Sequence, residues 1–143
     1  MFFKIVFALN DLPQSQRALR TAIDLARSCN AGLAPVSVLG DLPAYAFSVC
    51  FDPRAPAAMI EGRRGFHGEL RKNAVRLARN RGVHAQGTIL SGTEVHAVLN
   101  FLKDQKADLL IVGLRQRDYY LSRHWSTVYD LGLDATRNVF GVH

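Results

Sequence analysis

Apolar residues fall into two kinds of stretch along this chain. In three short runs they are nearly continuous: Phe3 to Leu9, Leu33 to Leu39, and Ala107 to Val112. Elsewhere they recur at every third or fourth position. Continuous runs of that length suit strands buried on both faces, as in a parallel sheet. The three-and-four spacing gives a helix a single apolar stripe.

Taken in order, the pattern predicts a first strand over Phe3–Leu9 that ends at Asn10-Asp11-Leu12-Pro13, a turn and helix-start sequence. A helix follows over about Ser15–Cys29, with Ala18, Leu19, Ala22, Leu25, Ala26 and Cys29 on its apolar face and Arg17, Arg20, Asp24 and Arg27 opposite. Asn30-Ala31-Gly32 ends it, with Gly32 free to take a left-handed conformation. Leu33–Leu39 is the second strand. The stretch from Gly40 to about Pro56 carries prolines at 43, 53 and 56 and reads as a long loop, the kind that serves as a lid or contact surface. A second helix covers roughly Ala57–Arg81, with a break expected near Gly62 or Gly65, and Gly82 closes it. Phe66, Leu70, Ala74, Leu77 and Ala78 form its stripe. Arg71, Lys72, Arg76, Arg79 and Arg81 make the other side basic.

His84–Leu90 reads as a third strand, and Ser91-Gly92-Thr93-Glu94 as a turn with a helix cap. The third helix runs to about Lys106, with Val95, Val98, Leu99 and Leu102 inward. After the strand Ala107–Gly113 comes a loop with Arg115, Arg117 and Arg123, then a short helix from Ser126 to about Thr136 and a last strand, Val139–His143. Strands and helices alternate throughout. The fold class is therefore α/β, a doubly wound, five-stranded, mostly parallel sheet of order 3-2-1-4-5 with helices on both faces, in a single domain over residues 1–143.

In such a sheet, ligands bind beyond the carboxyl ends of the strands where strand order reverses, here between the first and fourth strands. That places Asn10 and Asp11, the second strand's end at Val38, and Gly113 with the loop after it around one crevice. Adenosine would lie near Asn10 and Val38. Phosphates would lie near Ser126 and Thr127, at a helix N-terminus whose N–H groups favour anions.

Composition narrows the partners more than the fold. Of 143 residues, 48% are hydrophobic and 21% charged, enough for one core and too few apolar residues in any run to span a membrane, which takes about 20. The apolar start, Met1 to Leu9, has a lysine inside it and no small-residue cleavage pattern, so it reads as a strand rather than a signal peptide. Cys29 and Cys50 fit no metal or redox spacing and read as two free thiols in a reducing cytoplasm. A net charge of +6 favours acidic partners.

The chain resembles the universal stress protein domain along essentially its whole length. Phe7-Ala8-Leu9-Asn10-Asp11-Leu12 with Ser15-Gln16-Arg17-Ala18-Leu19 matches that family's first turn and Ala-rich helix. Gly92-Thr93-Glu94 and Ala107-Asp108-Leu109 look like its later turn and strand start, and Val112-Gly113 opens its pattern G-x2-G-x9-G-[ST]. Counted from Gly113, the second glycine of that pattern falls on Gln116, the third on Ser126, and the Ser/Thr on Thr127, which is retained. The aspartate that faces the base in nucleotide-binding members falls on Asn10. Glycine admits positive φ and close approach of phosphate to backbone, and Gln116 does neither without cost. Side-chain charge from Arg115, Arg117 and Arg123 would have to replace it.

The resemblance thus implies a non-enzymatic, cytoplasmic stress-response or regulatory protein with a degenerate nucleotide-type crevice. It also implies a homodimer paired through Val139, Phe140, Gly141 and Val142. One alternative is a protein that binds ATP or AMP, with Mg²⁺, through Asn10, Asp11, Val38, Gly113, Arg115, Gln116, Ser126 and Thr127, or that hydrolyses ATP slowly. The loop has no lysine and one acid, Asp118, so phosphoryl transfer is poorly equipped. Another alternative is a basic module using Arg71, Lys72, Arg76 and Arg79 toward nucleic acid or an acidic protein, although a solvated helix face is the commoner meaning of such a run. The histidines form no metal-binding pair, and no nucleophile elbow is present.

Overall fold

Strand β1, Lys4–Ala8, lies at the middle of the sheet and is paired along both edges. The computed structural model describes residues 2–9, 13–39, 55–92, 94–113 and 137–142. After β1 come helix α1 (Pro13–Cys29), β2 (Gly32–Leu39), α2 (Ala55–Asn80), β3 (Thr88–Ser91), α3 (Glu94–Asp104), β4 (Leu109–Gly113) and β5 (Asn138–Val142). The order across the sheet is β3-β2-β1-β4-β5, every pair parallel, as the α/β reading expects. The loop 40–54 and the helix expected over 126–136 lie outside the described residues.

The alternation of side chains in the three central strands builds two cores. Ile5, Phe7, Leu33, Leu109 and Ile111 face α1 and α2, where they meet Leu19, Ile23, Ala74 and Ala78. Val6, Val36, Leu110 and Val112 face α3, where Val98 and Leu102 close over them. Ile23, absent from the expected apolar face of α1, is fully buried, while Leu25 and Cys29 are only half-buried. The seam runs through 18, 19, 22, 23 and 26, a little to one side of the expected one.

Helix α2 corrects two further expectations. It is one continuous helix through Gly62 and Gly65, because an isolated glycine lowers helix propensity by only about 1 kcal/mol and removes no backbone hydrogen bond. Phe66, expected in its apolar stripe, is 51% exposed. The helix meets the sheet through the small residues Ala74 and Ala78. The third strand is also shorter than expected. Ala85 makes an isolated bridge to Leu33, and regular pairing with β2 starts at Thr88. Pro35 in the neighbouring strand offers no N–H at that point in the ladder.

All three described helix ends use one device. At α1, Ala31 N–H bonds Ala26 O and Asn30 N–H bonds Arg27 O. At α2, Val83 N–H bonds Ala78 O and Gly82 N–H bonds Arg79 O. At α3, Ala107 N–H bonds Leu102 O and Lys106 N–H bonds Lys103 O. This is the Schellman arrangement, which puts the residue after the helix in the left-handed region. Asn30, Gly82 and Lys106 are there, at φ 52°, 77° and 53°. The left-handed residue after α1 is thus Asn30 and not Gly32, which instead opens β2. Ala31, Val83 and Ala107 follow directly and are buried, so each helix end also starts the next stretch into the core.

At the other end of the sheet, Asp108 ties β1 to β4. Its carboxylate accepts hydrogen bonds from Phe3 N–H (2.6 Å) and Lys4 N–H (2.8 Å), while its own N–H bonds Lys4 O (2.9 Å). These bonds, the Lys4 one foremost, hold the carboxyl below the usual aspartate range.

Two outcomes follow for stability. A carboxylate held low contributes fully above its unfolded pKa, about 3.9, and its contribution is lost as pH falls through the folded value. Asp108→Asn is therefore expected to be about 1 kcal/mol less stable than wild type at pH 7, with the gap closing below about pH 4 in urea titrations. Lys106→Gly is expected to raise stability by about 1 kcal/mol by relieving a left-handed Cβ, and Gly82→Ala to lower it by a similar amount. Calorimetric melting of the two variants checks both signs.

Candidate functional site

The register of the sheet makes a notch at its carboxyl rim. Ala8 is the last residue of β1 paired on either side, opposite Val36 of β2 and Val112 of β4. Leu9 N–H still bonds Val36 O at 2.7 Å. Strand β2 continues to Leu39 along β3, and β4 continues to Gly113 along β5. The two flanking strands thus outrun the one between them. They are two strand spacings apart, about 10 Å, room for a flat ring or a short chain. Ala8, Val38 and Gly113 line the notch and are each half-buried, whereas the residues below them are fully buried.

This notch is the point where strand order reverses. From β1 the chain moves outward through β2 to β3, then returns to β4 on the far side of β1. Helices α1 and α2 consequently cover one face and α3 the other. In sheets of this kind ligands bind at this rim.

Of the eight residues expected at the site, the structure places Val38 and Gly113 on either side of the β1 terminus. Asn10, Asp11, Arg115, Gln116, Ser126 and Thr127 lie outside the described residues. What is described is an apolar floor: Ala8 and Val38 pack against the α3 core.

Two arrangements were not legible in the sequence. Ser37 is completely buried on β2, and its hydroxyl is hydrogen-bonded to His67 Nδ1 on α2. A serine beside a histidine invites a catalytic reading, but a hydroxyl with no exposure admits no substrate, so the pair fastens α2 to the sheet. The second arrangement gathers Arg71, Lys72, Arg76 and Arg79 of α2 around Gln86 and Gly87, the segment leading into β3. The four cations were expected together on one side of the helix; their place beside Gln86 and Gly87 was not. Among the described residues, no three His, Cys, Asp or Glu side chains come together as metal ligands would, and no helix is long and apolar enough to cross a membrane.

Comparison with known proteins bears on the fold and the family. The model of the universal stress protein family matches residues 1–125. Among solved structures, a protein of that family from Burkholderia pseudomallei is similar at 20% identity and a TM-score of 0.76, over 96% of this chain and 93% of that one. The universal stress protein from Archaeoglobus fulgidus in complex with dAMP is 20% identical with a TM-score of 0.69, over 99% of this chain and 98% of that one. An Arabidopsis thaliana family member with AMP bound is 16% identical with a TM-score of 0.71, over 98% and 90%. At these identities the likeness speaks for the fold. A search of the curated proteins found no match.

Proposed function

The chain belongs to the universal stress protein family, and from that premise we propose that it is a non-enzymatic regulatory or stress-response protein. In this reading it acts as a cytoplasmic homodimer and keeps the family's crevice in altered form. The observation that carries the reading is the mismatch between backbone and sequence at one place. Val38 and Gly113 flank the end of β1, where in a sheet of this topology a nucleotide would lie. Yet Gln116 and Ser126 stand where the family pattern has glycine, and Asn10 where it has aspartate. Losing the glycines removes the close approach of backbone N–H groups to phosphate. Losing the aspartate exchanges two acceptors for an amide of mixed character.

The dimer reading rests on β5. Among the described strands it is an edge strand, paired only with β4, and Phe140 is 47% exposed on it. An apolar edge left unpaired is prone to uncontrolled association, and pairing with a second copy removes it.

A second reading, binding of ATP or AMP with or without Mg²⁺, is favoured by relatives whose structures hold dAMP and AMP. Here Arg115 would supply by side-chain charge what the glycines no longer supply, and Thr127 would remain a phosphate ligand.

Calorimetric titration with AMP and with Mg-ATP, carried to millimolar nucleotide, separates the two readings. The regulatory reading expects no heat of binding and no ATP turnover. Heat that Thr127→Val and Arg115→Ala each reduce several-fold would establish the nucleotide reading in its place. Separately, sedimentation at micromolar protein is expected to give a dimer that Phe140→Glu converts to monomer. A wild-type monomer would remove the β5 pairing.

A further inference from the structure

We propose that the β3 edge of the sheet, with the basic flank of α2 beside it, is a docking groove for an extended acidic segment of a partner protein. The groove is independent of the crevice. It opens where Gln86 and Gly87 lead into the amino end of β3, whereas the notch lies at the carboxyl rim.

Three observations converge. The first is the open backbone of β3. Gln86 N–H bonds Leu33 O and Gly92 N–H bonds Leu39 O, both toward β2. In a parallel ladder alternate residues serve one neighbour. The positions between, Gly87, Ile89 and Ser91, therefore turn their N–H and C=O groups away from β2, along the edge of the sheet. Such an edge accepts an added strand.

The second is charge. A groove of about 490 Å³ runs between α2 and this edge, with Arg71, Lys72, Arg76 and Arg79 along its helical side. Among the described residues, none of the three arginines meets a carboxylate. Arg76 donates to Asn73 Oδ1 (2.7 Å) and Arg79 to Ala85 O (3.2 Å), both neutral acceptors. Lys72 is 3.7 Å from Glu69, a pair open to solvent that contributes little. The groove thus carries uncompensated positive charge with guanidinium forks suited to carboxylates.

The third is fit. A Cβ on Gly87 would stand 2.3 Å from Cγ of Arg71, so only glycine lets the arginine stem lie against the backbone there and extend its head along the groove. Alternate side chains of an added strand are about 6.7 Å apart. Cations one helical turn apart, such as Lys72 and Arg76, are separated by about 6 Å along the axis. Acidic residues at every second position would therefore run in step with the helix. Among the described residues no aromatic side chain lines the groove, so they offer no platform on which nucleic-acid bases stack.

The test is fluorescence anisotropy at low salt with a labelled peptide of about ten residues alternating glutamate and threonine. A matched peptide with glutamine for glutamate and an oligothymidylate of equal charge serve as comparisons. The glutamate peptide is expected to bind roughly tenfold or more tightly than either. The combined variant Arg71→Met, Lys72→Gln and Arg76→Gln should lose that binding while its circular dichroism is unchanged. Ile89→Pro, which removes an outward N–H and no ladder bond, should weaken it as well. Should Ile89→Pro unfold the edge, the charge variant decides alone. Absence of peptide binding, equal binding of the two peptides, or full binding by the charge variant overturns the proposal. Tighter binding of the oligothymidylate overturns it in favour of nucleic acid.

Discussion

The structure depends on one strand having no free surface. β1 has β2 on one edge and β4 on the other, with α1 above it and α3 below. A strand so placed has no position at which a polar side chain is harmless, because an unpartnered buried polar group costs several kcal/mol. Ile5, Val6 and Phe7 are wholly buried, and the charged Lys4 stays at the margin, where its amine reaches Gln105 at 2.5 Å. Asp108 sets the register at that margin by holding two successive N–H groups of β1 with one carboxylate. The pairing of Ile5 with Leu109 follows directly from this clamp.

How much of this was legible follows from the same constraint. Strands buried on both faces leave continuous apolar runs, so β1, β2 and β4 were read within two residues of their limits, and the sheet order with them. β3 lies at the edge with only half-buried residues, and its run His84–Leu90 gave no sign that regular pairing waits until Thr88. Gly62 and Gly65 suggested a break in α2, but a glycine keeps every backbone hydrogen bond of the helix and lowers its propensity by only about 1 kcal/mol. Asn30, rather than the more permissive Gly32, took the left-handed position because helix geometry counts residues from the last turn, not from the nearest glycine. At the site, topology located the notch and its two flanks. Gln116 and Ser126, on which the expected chemistry of the notch rests, lie outside the described residues. The groove beside β3 was illegible for another reason: Arg71 and Gly87 are brought together only by tertiary packing.

The two rims of a parallel sheet are chemically unlike, and this chain uses them differently. The carboxyl rim holds the notch above an apolar floor. The amino rim holds the Asp108 clamp, the returns from the helix ends, and, at its β3 corner, a concentration of arginine. An all-parallel arrangement makes that division automatic, since every helix leaves from one rim and delivers the chain to the other.

The position of β1 also sets a timetable for biosynthesis. Phe3 and Asp108 are 105 residues apart in the chain. At ordinary translation speeds the ribosome needs on the order of ten seconds to cover that distance. During that interval β1 can pair with β2 but not with β4. The edge formed by Ile5, Val6, Phe7 and Ala8 stands open in the nascent chain. The step most exposed to misassembly is thus the wait for Leu109–Gly113 to emerge, and the first half of the molecule must survive it with its central strand only half enclosed.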